Sequence, residues 1–160
     1  VMHLASERRG RVGEAPLILG YAGLLPQTAA LATCFFESAD KIGAMFAFGY
    51  GVLILSFVGG IWWGFAMRAH EGASSSPSQG AVASAAVTPS LLATLLILLA
   101  VVRMIPLAWA LVLLGSAIIT TLLFDRKLAQ AGLTPEHWME MRIPLSIGLG
   151  LLTILCGVVL

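Results

Sequence analysis

Charged residues divide this chain into five long stretches that contain none: residues 15–36, 42–67, 72–102, 104–124 and 143–160. A helix needs about 20 apolar residues to cross the hydrocarbon core of a bilayer, and each stretch reaches or approaches that length. The third opens on a polar, serine-rich run from Gly72 to Gly80, so its span is expected to begin near residue 83. The period-2 alternation of a barrel strand is missing, and inside lipid the remaining way to satisfy every backbone polar group is a helix. The expectation is an all-α polytopic membrane protein: one domain of five transmembrane helices at about 15–36, 43–67, 83–102, 104–124 and 143–160, preceded by a tail of residues 1–14.

Composition points the same way. Apolar residues make up 59% of the 160 and charged residues only 11%, where a soluble domain carries roughly 25% charged residues. A soluble enzyme, a disordered tail and a disulfide scaffold are excluded. Both cysteines fall inside expected spans, so there is no disulfide framework and no metal motif.

Basic residues give the orientation. Arg8, Arg9, Arg11, Arg68, Arg126, Lys127 and Arg142 fall on one side of the expected spans, and Lys41 and Arg103 on the other. The positive-inside rule then predicts a cytoplasmic N-terminus and an external C-terminus, with the bacterial inner membrane as the home. A lipoprotein leader ending at Cys34 fits poorly, because Thr33 is large for the residue before a lipidated cysteine and Pro26-Gln27 interrupts the apolar run. An uncleaved first helix is expected. No basic stripe exists apart from this topological signal, so nucleic acid is not an expected partner.

No ionisable residue falls within the five expected spans, which argues against a proton relay or an ion-coupled carrier. His3, His70 and His137 lie in the tail or loops, leaving no ligands for a haem between helices. No cofactor is expected.

The most specific pattern is in the second span, where Gly49, Ser56, Gly60 and Gly64 leave one helix face nearly free of side chain. Small residues at this spacing let membrane helices approach closely, so the face is expected to pack inside the bundle, with a homodimer face or a lipid groove as alternatives. Ser146 and Gly150 repeat the pattern briefly on the fifth span, its candidate partner. Trp62, Trp63 and Trp138 are expected as anchors at the membrane interface. Pro26 and Pro89 should kink their helices, and a cleft shaped by Pro26, Tyr21, Tyr50 and Trp63 would suit a lipid-like ligand.

Asp125, Arg126 and Arg142 bound a polar cytoplasmic loop. Within it Thr134-Pro135-Glu136 has the form of a helix start, with Thr134 as N-cap, which predicts a short interfacial helix before the fifth span. Asp125, Glu136, His137 and Glu140 could form a metal or acid/base cluster, but nothing in the sequence fixes Asp125 near the others, and Glu136 with Glu140 reads more simply as a solvated acidic face. Catalytic residues are expected to be none.

Pro16 to Pro26, the run Tyr50 to Gly60 followed by Trp63-Gly64, and Asp125-Arg126 resemble the domain-of-unknown-function 3429 family, whose relatives include transmembrane protein 69. The resemblance covers about residues 15–160 and implies a five-helix integral membrane protein with no transferable activity. One departure is Trp62, where the family pattern often carries a basic residue or histidine before the Trp-Gly pair.

The functional expectation is a non-enzymatic membrane protein acting by helix contacts, as a small subunit or assembly partner of a complex. Its partners would be membrane lipids, other membrane proteins or a second copy of itself. The alternative is a binder or carrier of a lipid-like molecule such as quinone, and the third reading is a membrane enzyme using His137 and Glu140.

Overall fold

The structure, a computed structural model, describes residues 13–36, 41–68 and 78–160. Most of the expected cytoplasmic tail, with Arg8, Arg9 and Arg11, and the serine-rich loop before Ser78 lie outside the described residues.

Six helices make up the described chain: α1 (Glu14–Ala22), α2 (Leu25–Phe36), α3 (Ile42–Ala66), α4 (Gln79–Val101), α5 (Leu107–Gln130) and α6 (Trp138–Val159). With α1 and α2 taken as one interrupted span, five are long and apolar enough to cross a membrane. The architecture is an all-α polytopic bundle. α3 touches α2, α4, α5 and α6, while α5 and α6 share the most extensive interface.

Pro26 does more than kink the first span. Its ring cannot donate a hydrogen bond and clashes with the carbonyl four residues back, so the helix stops at Ala22 and restarts at Leu25, with Pro26 tolerated in the new first turn. The Tyr50 hydroxyl of α3 donates to the Gly23 carbonyl in this break at 2.6 Å. Pro89, by contrast, lies inside an unbroken α4.

The ends of α4 and α5 use the same device. Met104 N–H donates to Leu99 and Arg103 N–H to Ala100, and likewise Leu133 N–H donates to Leu128 and Gly132 N–H to Ala129. This is the Schellman pattern, with Arg103 (φ 58°) and Gly132 (φ 71°) in the left-handed region that closes it. α5 therefore runs to Gln130, past the expected end at residue 124.

The expected interfacial helix is not formed as a separate element. Thr134 caps nothing: it is buried in the connection, and His137 in the left-handed conformation (φ 61°) immediately precedes Trp138, the first residue of α6. The turn from Trp138 to Arg142 is the start of the last long helix, because a chain leaving the Schellman turn at Gly132 must reverse within a few residues.

Backbones meet at glycines. A Cβ on Gly59 would lie 2.5 Å from the Ala86 carbonyl of α4, and one on Gly115 would lie 2.5 Å from the Gly150 carbonyl of α6. Only glycine allows these crossings. The glycines that meet other helices from α3 are Gly43, Gly51 and Gly59. The expected face of Gly49, Ser56, Gly60 and Gly64 turns outward: a Cβ added at Gly49, Gly60 or Gly64 would meet no atom within 4 Å, and only Ser56 is half-buried. Gly150 meets Gly115 of α5, not α3.

Candidate functional site

Extending α5 by a turn and a half beyond Phe124 brings charge into the bundle. Thr121, Asp125 and Leu128 fall on one face at helical spacing and are buried, while Arg126 and Lys127 are not. One turn into α6, Arg142 is buried in the same place. The expectation that no ionisable residue lies within the membrane helices is therefore corrected: Asp125 and Arg142 belong to helices, and they neutralise each other.

The geometry joins three helices. Asp125 Oδ1 accepts from Trp62 Nε1 of α3 at 2.8 Å, and Oδ2 accepts from Arg142 Nε at 2.8 Å and stands 2.8 Å from Nη2 in the ion pair. Arg142 Nη2 also donates to Thr121 Oγ1 at 3.4 Å, and that hydroxyl donates to the Ile118 carbonyl at 2.6 Å. The guanidinium carbon stands 5.8 Å from the Trp138 ring centroid, within cation–π range, and Trp138 meets Phe65 edge-on at 5.4 Å. Charge-assisted bonds of this kind are the strong ones, and Asp125 is wholly enclosed by them.

Two of the expected interface anchors are thus interior residues. Trp62 is 5% exposed and Trp138 9%, because the indole N–H of Trp62 and the ring face of Trp138 serve the ion pair. Trp63, 48% exposed, is on the outer side of α3.

A cavity of about 170 Å³ lies beside the pair, between α1, α3 and α6. Gly20, Leu24, Phe57, Leu145, Ser146 and Arg142 are among its lining residues. Ser146 is 2% exposed and its hydroxyl has no hydrogen-bond partner. The cavity occupies the region where a cleft was expected, beside the break before Pro26, but its polar groups are Arg142 and Ser146. Tyr21, Pro26, Tyr50 and Trp63 do not line it: Tyr21 is exposed and the Tyr50 hydroxyl is committed to Gly23.

A second, more open groove of about 650 Å³ separates α4 from α5, lined by leucines with Trp62 and Thr121 at one end. Arg142 thus lines the first space, while Trp62 and Thr121, which bond to the pair, line the second. His137 and Glu140 pair with each other at 2.8 Å on the surface, 47% and 76% exposed, away from Asp125. Among the described residues no group of three or more potential ligands could hold a metal ion.

The sequence alone does not single out Thr121, Gly59 or Gly115. A signal for Thr121 is present in its spacing of four from Asp125, which places both on one face.

Five apolar spans closed around a buried ion pair define an integral membrane protein of the helical bundle class. The chain belongs to the DUF3429 family of proteins of unknown function, which it matches over residues 12–158. No curated protein and no solved structure matches it.

Proposed function

We propose that this protein binds a lipid-like molecule in the cavity between α1, α3 and α6, with a carbonyl or anionic oxygen of the ligand's head group received by Arg142 and Ser146. The observation that carries this reading is the Ser146 hydroxyl, buried without a partner on the same cavity wall as the guanidinium. A buried hydroxyl that makes no bond costs about 1–3 kcal/mol, and a ligand oxygen would recover it. Gly20 and Gly23 leave room on the α1 side, while Leu24, Phe57 and Leu145 supply apolar wall for a chain. A quinone has this combination of carbonyl head and apolar tail. The seven-to-two distribution of basic residues supports the bacterial inner membrane, with the Arg142 end of the bundle cytoplasmic.

The test is mass spectrometry of small molecules retained when the tagged protein is extracted in a mild detergent. Wild type should carry a stoichiometric amphiphile, and Ser146→Leu, which fills the cavity and leaves the ion pair intact, should lose it. Equal retention by a folded Ser146→Leu variant would defeat the reading.

The helix-contact reading, a subunit or assembly partner of a membrane complex, draws on one observation: the backbone of α3 is bare to the outside at Gly49, Gly60 and Gly64. Its premise that the spans lack charge no longer holds, so it takes second place. Gly60→Leu should abolish co-extraction of a protein partner under this reading and leave the retained amphiphile unchanged under the first.

A further inference from the structure

The chain has two cysteines, and the fold brings them together. Cys34 is near the end of α2 and Cys156 near the end of α6. Gln27 Nε2 of α2 donates to Thr153 Oγ1 of α6 at 2.8 Å, which sets the register between the helices. From that contact Cys34 is about two turns further along α2, and Cys156 about one turn further along α6, toward the same end of the bundle. Cys156 is fully buried in a cluster with Ala30, Ala44, Ala47 and Leu111, and half-buried Cys34 packs against that cluster. Both thiols therefore belong to one packed region at that end of the bundle.

We propose that Cys34 and Cys156 are a dithiol pair that closes into an intramolecular disulfide by exchange with an external disulfide, tying α2 to α6. Cys34, the more accessible thiol, loses its proton and attacks the external disulfide, forming a mixed disulfide and releasing one thiolate. Cys156 then loses its proton, and its sulfur displaces the second thiolate from Cys34. Two protein thiols become one disulfide, the external disulfide becomes two thiols, and the two protons end on those released thiols.

The position gives the bond a consequence. α1 buries no residue and α2 buries only Gln27 and Ala30, so the broken first span is lightly held. A link at the far end of α2 would pin that arm to the bundle. In the orientation favoured by the basic residues, the cysteines are at the external end, on the oxidising side of an inner membrane. The inference stands on this juxtaposition and not on the ligand proposed above.

The experiment uses wild-type protein in isolated membranes, treated with dithiodipyridine, then blocked with a maleimide and analysed by intact mass and peptide mapping. The expected result is a chain lighter by two hydrogens, no maleimide on either cysteine, and a peptide linking Cys34 to Cys156. Cys156→Ser should instead hold a pyridylthio group on Cys34. The proposal is overturned if wild type carries stable pyridylthio groups with no linked peptide, if neither thiol reacts, or if the only link formed joins two chains.

Discussion

Arg142 meets Asp125 through two nitrogens, Nε and Nη2, each 2.8 Å from the same carboxylate oxygen, in a site where the Asp125 side chain is completely buried. A pair of this kind brings its own asymmetry. Joining the charges offsets part of the cost of taking them out of water, whereas removing one partner strands the other in a medium that cannot solvate it.

Single replacement of either partner, Asp125→Leu or Arg142→Met, is expected to destabilise the protein by about 3–5 kcal/mol. The double replacement should recover much of that loss, because no unpaired charge remains. Thermal unfolding in detergent of the two single variants and the double variant, read as a double-mutant cycle, measures the coupling. Additive losses would contradict the pairing.

Trp62→Phe keeps a ring against Phe124, whose centroid is 4.5 Å away, but removes the N–H that reaches Asp125 Oδ1. A hydrogen bond to a charged group contributes about 1.5–3 kcal/mol, so a loss in that range is expected. Unfolding measurements on the variant, with Trp63→Phe on the exposed side as control, test it. Trp63→Phe should be nearly neutral.

Adjacent glycines on α3 should respond in opposite ways. Gly59→Ala drives a methyl into the Ala86 carbonyl and must separate α3 from α4, while Gly60→Ala meets open space. A loss of roughly 1–3 kcal/mol is expected for the first and little or none for the second, read from unfolding midpoints. If Gly60→Ala is the damaging change, the outward placement of that face is wrong.

Tyr50→Phe removes the donor that satisfies Gly23 at the break between α1 and α2. The cost should be about 0.5–1.5 kcal/mol, the net worth of an ordinary hydrogen bond. Its signature is local: amide exchange should quicken around Gly23 to Thr28 and remain unchanged in α5 and α6.

Individual residues show how much of this was legible beforehand. Arg68 and Arg103 stand just past helix ends and are exposed, since an isolated charge stays near water, while Arg126, expected in a loop, lies on the exposed face of α5. Asp125 and Arg142 broke the rule because each cancels the other, and the pairing spans a turn that sequence spacing does not describe. On α3 the intervals among Gly49, Ser56, Gly60 and Gly64 keep them on one helical face, whereas Gly43, Gly51 and Gly59, eight residues apart, turn by about 80° from one to the next and spread over half the helix. Periodicity identifies the first set as a bare face and gives no sign of the second. What makes those three the packing glycines is the separate neighbour each one meets: Thr33 on α2, Leu114 on α5 and Ala86 on α4.

From the order of amino acids alone it follows that the protein is a bundle of apolar helices, how many spans it has and where its family lies. Those properties come from the transfer of apolar side chains and backbone groups into lipid, a cost that each segment meets alone. Which charges go inside, which glycines touch, where a polar cavity opens and which thiols meet depend on how the helices assemble. Each of these is a property of two helices at once, fixed by the packing that brings Asp125 to Arg142, Gly115 to Gly150 and Cys34 to Cys156.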